Sequence, residues 1–127
     1  MKLYESSEDY LERILILKNK FDFVRSIDIA EDMSFSKASV SVAMKKLREN
    51  GYIIVDTDGF ITLTKTGHEV ASRVYERHLL LTEAFKILGV PENIARADAC
   101  KIEHDLSKET FDAIKNAVNK IKNKPLL

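Results

Sequence analysis

Apolar positions recur at helical spacing through most of the chain, interrupted once by a short stretch of strand character. From Ser7 to Lys20, Tyr10, Leu11, Ile14, Leu15 and Leu17 fall on one side of a 3.6-residue repeat. Ser6, three residues before Asp9, reads as the capping start of that helix. After "NKFDFV", a short helix is expected from Ser26 to Asp32, capped by Ser26, with Ile27, Ala30 and Met33 inward. "SFSKAS" then opens a third helix through Asn50, with Val40, Ala43, Met44 and Leu47 inward, and Gly51 stops it in a left-handed conformation. Tyr52–Val55 and Phe60–Leu63 are β-branched or aromatic and flank "DTDG", a hairpin signal. Two short helices, a third with a basic outer face and a hairpin, in that order, predict a winged helix-turn-helix.

The second half is wholly helical in pattern. A long helix is expected from about Thr66 to Leu88, with Val70, Val74, Tyr75, Leu79, Leu81, Phe85 and Leu88 as its apolar stripe, closed by Gly89. "PENIARADACKIEHDL" reads as the next helix, with Pro91 in its first turn. Ser107 caps a last helix to about Lys122, and "NKPLL" reads as a frayed end. The fold class expected is therefore mainly α. A winged helix-turn-helix DNA-binding domain (residues 1–65) precedes an all-helical dimerisation domain (residues 66–127). Three helices in some sixty residues cannot easily bury this much apolar surface alone, so a homodimer is expected.

Composition narrows the class. The chain has 127 residues, 45% hydrophobic and 31% charged, which suits a globular protein. No apolar run approaches the ~18–20 residues that span a bilayer, and "MKLYESSEDY" has no apolar signal core. One cysteine forms no internal disulfide, so a cytoplasmic location without membrane partner is expected. The formal net charge is zero, yet from Ser34 to Asn50 Lys37, Lys45, Lys46 and Arg48 face only Glu49. Phosphate binding follows local charge rather than the total.

In a helix-turn-helix the second helix enters the major groove by its N-terminal residues. Those are Ser36, Lys37, Ala38 and Ser39, with Ser41 and Val42 a turn later. The hydroxyls can bond to phosphate or to bases, and Ala38 or Val42 can touch a thymine methyl. Lys45, Lys46 and Arg25 suit phosphates, which position the protein without specifying sequence. No Arg, Asn or Gln stands at the helix start, so specificity is expected to lean on dimer spacing and DNA shape.

Cys100, Glu103 and His104 are spaced to share one helix face, and a thiol, a carboxylate and an imidazole converging there make a half-site for a divalent transition metal. Beside a DNA-reading module, such a site points to a metal-sensing repressor. The plainer alternative is a surface Glu–His pair beside a packed cysteine.

"SEDYLERI", "RHLLL" and "DACKIEHDLS", with the winged helix-turn-helix between the first two, resemble the diphtheria toxin repressor and manganese transport regulator family over essentially the whole chain. The resemblance implies a dimeric, metal-activated repressor that binds operator DNA and controls metal homeostasis. It implies the ligands Asp9, Glu12, His78, Cys100, Glu103 and His104. Asp9 and Glu12, three apart, can share a helix face. Manganese regulators of the family resemble the chain at Asp9 but carry a carboxylate at the position of Cys100. Iron regulators resemble it at Cys100 but carry a thioether at Asp9. Hard oxygens suit manganese, whereas a thiolate favours iron, cobalt, nickel or zinc, unless Cys100 binds through its carbonyl. The expected cofactor is Fe(II) or Mn(II), with Co(II), Ni(II) or Zn(II) as substitutes in vitro. The iron branch's ancillary site would align with Thr82 and Arg96, poor ligands, and is expected to be absent or altered. The SH3-like domain common in that branch is also not expected.

The implied mechanism is an ion that joins the two halves and holds paired recognition helices ~34 Å apart. An enzyme with a small-molecule substrate is not expected, since no H-E-x-x-H helix or Gly-rich phosphate loop is present. A winged-helix regulator answering to thiol oxidation at Cys100 is the alternative.

Overall fold

A computed structural model describes residues 3–123, with six helices and one two-stranded sheet among them. In chain order these are α1 (Glu5–Lys20), α2 (Ser26–Met33), α3 (Lys37–Glu49), β1 (Ile53–Val55), β2 (Ile61–Leu63), α4 (Lys65–Ile87), α5 (Glu92–Ile102) and α6 (Lys108–Lys122). The chain divides into two compact units between Arg73 and Val74, inside α4. No described helix is long and apolar enough to cross a membrane.

The first unit is built on one continuous core. Leu11, Ile14, Val24, Ile29, Val40, Leu47, Ile53 and Ile61 are almost wholly buried in it, with Met44 and Ala71 beside them. Burying an aliphatic side chain contributes about 1.5–3 kcal/mol, so this cluster carries the unit. Two helix starts differ from expectation. α1 begins at Glu5 behind Tyr4, so Ser6 lies inside the helix and does not cap it. α2 begins with Ser26 itself, and the Asp28 carboxylate accepts the Arg25 backbone N–H at 2.9 Å. Ala30 is buried and Met33 packs against the core as expected, whereas Ile27 is exposed and Ile29 is buried, so the inward face of α2 is centred on Ile29, Ala30 and Met33.

The turn between α2 and α3 passes through Ser34, the single non-glycine residue with positive φ among those described (57°). Ser36 caps α3, accepting the Ser39 N–H at 3.1 Å, and Gly51 (φ 80°) turns the chain away after it. β1 and β2 pair antiparallel, Ile53 opposite Leu63 and Val55 opposite Ile61. In the loop between them the Asp56 carboxylate accepts the N–H groups of Asp58 and Phe60, each at 2.9 Å. Ile61 also donates to the Val24 carbonyl at 2.7 Å, which ties the wing to the α1–α2 connection. Thr64 starts α4: its hydroxyl accepts the Gly67 N–H (3.1 Å) and donates to the Gly51 carbonyl (2.7 Å).

The second unit buries less. Val74, Leu81, Ala95, Ala99, Phe111 and Val118 are its buried apolar residues, whereas Leu79, Leu88, Ile94 and Ile121 are exposed. Leu79 and Leu88, expected inward, thus face outward. Pro91 lies just before α5 rather than inside it, its carbonyl accepting the Ala95 N–H at 2.9 Å. Ser107 caps α6 through the Thr110 N–H, as its sequence indicates. Of the "NKPLL" end expected to fray, Asn123 closes α6, and residues 124–127 lie outside the described residues.

Candidate metal centre and nucleic-acid interface

The second unit places one buried carboxylate between two imidazoles. Glu103 is 1% exposed. His78 Nδ1, from α4, lies 3.2 Å from its Oε2, and His104 Nε2 lies 3.5 Å from its Oε1. Cys100 stands one turn earlier on α5, half-buried, its thiol outside any disulfide. The expectation that Cys100, Glu103 and His104 all leave one helix is corrected here: α5 ends at Ile102. Glu103 keeps a helical N–H bond to the Ala99 carbonyl (3.0 Å), but Asp105 already bonds to Ile102 (3.1 Å), so His104 sits in a tightened turn. That tightening is the usual way a helix end satisfies its last carbonyls.

A buried carboxylate is costly unless its charge is met. Glu103 Oε1 receives no hydrogen bond from the described residues. An oxygen in that position, with two imidazole nitrogens and a thiol nearby, is a donor set of the kind that divalent transition metals take. The residues therefore fit a metal ion.

Neighbouring groups fix this set. Thr82 donates to the His78 carbonyl at 2.7 Å from a buried position on the next turn of α4. Arg77 Nη1 donates to the carbonyls of Glu103 (3.0 Å) and Leu106 (2.8 Å), its guanidinium 5.1 Å from the Phe111 ring centre. Neither contact is visible in the sequence, although "ERH" does set Arg77 beside His78. Arg96 is exposed and bonded to Glu92 at 3.2 Å. In the first unit, Asp9 and Glu12 stand three residues apart on α1, Asp9 half-buried and Glu12 buried.

The residues expected to read DNA form an exposed row in the first unit. Ser36, Lys37, Ala38, Ser39, Ser41, Val42, Lys45 and Lys46 are all exposed along α3, while Val40, Met44 and Leu47 hold its other face in the core. Ser36 is engaged as the helix cap and bonds to the Ser39 hydroxyl at 2.8 Å, so Ser41 is the serine of the row whose hydroxyl is not used in capping. Arg25 is exposed, its guanidinium 4.5 Å over the Phe60 ring, which itself packs on Phe23 at 4.8 Å.

Residues 2–59 match the family described as the iron dependent repressor N-terminal DNA binding domain, and residues 64–126 its metal binding and dimerisation domain. The chain is 33% identical over 120 residues to an HTH-type transcriptional regulator MntR of Lysinibacillus sphaericus (strain C3-41), covering 94% of this chain and 86% of that protein. The chain belongs to the diphtheria toxin repressor and manganese transport regulator family. Members of this family are metal-dependent transcriptional regulators. Among solved structures of such regulators, the manganese regulator SloR superposes with a TM-score of 0.78 at 29% identity, covering 89% of this chain and 53% of that one. A manganese-dependent transcriptional repressor in complex with manganese gives 0.79 at 29% identity, with 89% and 52% covered. ScaR with bound Zn2+ gives 0.73 at 25% identity, with 89% and 53% covered. The chain thus spans about half the length of these solved structures.

Proposed function

We propose that this member of the family is a metal-activated transcriptional repressor that controls metal-ion homeostasis. It would act as a cytoplasmic homodimer on double-stranded operator DNA, with no catalytic reaction, no small-molecule substrate and no membrane partner. The observation that carries the reading is Glu103, buried between His78 and His104 in a domain whose family binds metal. His78, Cys100, Glu103 and His104 would hold Fe(II) or Mn(II), with Asp9 and Glu12 of α1 completing the set. The ion supplies positive charge that carboxylates of two domains can share. Held by these residues, the ion would favour the DNA-competent state by its differential affinity for it. We place the boundary between the DNA-reading and metal-reading parts at residues 65 and 66, in the first turn of α4.

α3 would lie in the major groove. Ser36, which also caps the helix by accepting the Ser39 N–H, would meet the DNA with Lys37, Ala38, Ser39, Ser41 and Val42 at base edges, and Lys45, Lys46 and Arg25 would hold phosphates. The exposed Leu79, Leu88, Ile94 and Ile121 supply apolar surface for a dimer.

The test uses duplexes selected from a random pool by the Mn(II)-loaded protein. Their affinity is then measured in chelator and in Fe(II), Mn(II), Co(II) and Zn(II). We expect metal to tighten binding ~5–150-fold, the range of typical allosteric coupling, and His104→Ala to abolish the gain while leaving the dimer intact. Equal affinity with chelator and with saturating Fe(II) or Mn(II) refutes the proposal. A response to peroxide that ignores chelation would instead establish Cys100 as a thiol sensor.

A further inference from the structure

We propose that Arg77 is the positioning residue of the metal centre, a backbone clamp that sets the Glu103–His104 turn before any ion arrives; this rests on the metal-site reading above. α5 ends at Ile102 and α6 begins at Lys108, so Glu103 and His104 lie in the short connection between two helices. A helix end leaves its last carbonyls without intrahelical donors. Arg77 meets one of them, at Glu103 (3.0 Å), and with the same nitrogen the Leu106 carbonyl (2.8 Å) just before the α6 cap, and so grips the connection at both ends. Its guanidinium packs against the Phe111 ring of α6, which restricts the plane in which those bonds are made.

The neighbouring residue on α4, His78, meets the Glu103 side chain at 3.2 Å. Two successive residues of one helix therefore fix the same glutamate, Arg77 through its carbonyl and His78 through its carboxylate. A cation at Arg77 is an unexpected neighbour for a metal centre. It is directed at backbone oxygens, and its hydrogen bonds among the described residues go to no carboxylate. That assigns it to holding geometry rather than to competing with the metal for Glu103.

Removing groups that orient metal ligands typically lowers metal affinity 10–100-fold. The purified full chain is titrated with Co(II) alone, following its visible bands, and with Mn(II) by paramagnetic resonance, beside thermal melts without metal. The variants are Arg77→Met, Arg77→Lys, Phe111→Leu and His104→Ala. We expect Arg77→Met to weaken Co(II) binding ~10–100-fold and to alter the band pattern. Arg77→Lys should recover part of that loss, because an ammonium can bond to a carbonyl but lacks the planar fork. Phe111→Leu, which keeps the guanidinium and removes its stacking partner, should give a smaller loss, and it reports even if Arg77→Met does not fold. If the Arg77 and Phe111 variants melt earlier but bind Co(II) as wild type does while His104→Ala does not, Arg77 is purely structural and the inference fails alone. If wild type takes up neither ion, or His104→Ala binds as wild type, the metal-site reading fails and the inference with it.

Discussion

At the scale of single residues, two groups with displaced proton affinities, Tyr10 and Lys115, concern alkaline stability. Burial in the first unit's core raises the Tyr10 hydroxyl above its ordinary 10.0. In the second unit, the hydrogen bond from Lys115 to Glu76 at 2.6 Å, with the charge of that carboxylate, raises the ammonium above its ordinary 10.5. In each case the folded chain holds a proton more tightly than the unfolded chain. The stabilisation is fully present below the unfolded value and is lost as pH rises through the folded one. Thermal melts at about pH 8 and about pH 11 should show a smaller alkaline loss in Tyr10→Phe, and separately in Glu76→Gln, than in wild type. An unchanged alkaline loss in either variant removes that residue from the account. Residue identity alone could not have signalled these groups. Tyr10 was legible as a core position from its spacing, but the partner of Lys115 stands 39 residues away.

At the scale of elements, the junction between the wing and α4 depends on close approach. A Cβ at Gly67 would stand 1.9 Å from the Tyr52 carbonyl oxygen, which is backbone and cannot rotate aside. The Thr64 N–H meets the same carbonyl at 3.1 Å, so β1 and the start of α4 are drawn together there. Gly67→Ala should therefore cost about 1–3 kcal/mol or more through forced backbone displacement, despite alanine's better helix propensity. Gly51→Ala is the contrasting case: nothing lies within 4 Å of its Cβ, and its cost of about 1–2 kcal/mol is that of the left-handed conformation alone. Denaturant titrations of both variants should rank Gly67→Ala as the less stable, and the reverse order would mean that the junction relaxes. The sequence marked Gly51 as a helix stop, because a glycine after an amphipathic run has few other uses. It gave no sign of Gly67, whose constraint comes from Tyr52, fifteen residues earlier and just before β1.

At the scale of the whole molecule, zero net charge conceals an uneven distribution. α3 and its flanks carry four basic side chains against one acidic, and the α3 lysines are exposed. DNA affinity should then be concentrated there, with each phosphate contact adding about 0.9 to the slope of log affinity against log salt. Replacing Lys45 and Lys46 together by alanine should lower that slope by about 2 and weaken binding to all sequences alike. An unchanged slope would place the phosphate contacts elsewhere.

What the sequence determined by itself was local. Helix order, the helix-turn-helix, the hairpin and the Ser107 cap follow from backbone bonds and side-chain spacings within a few residues, where periodicity carries the information. The types of the proposed ligand residues were legible for the same reason. Tertiary structure alone decided that α5 stops at Ile102, that Glu103 is buried with His78 and His104 beside it, and that Arg77 grips the connection. Those contacts join α4 to a turn 25 to 29 residues later. Packing of one helix against the end of another sets such distances, and no pattern within either segment encodes them.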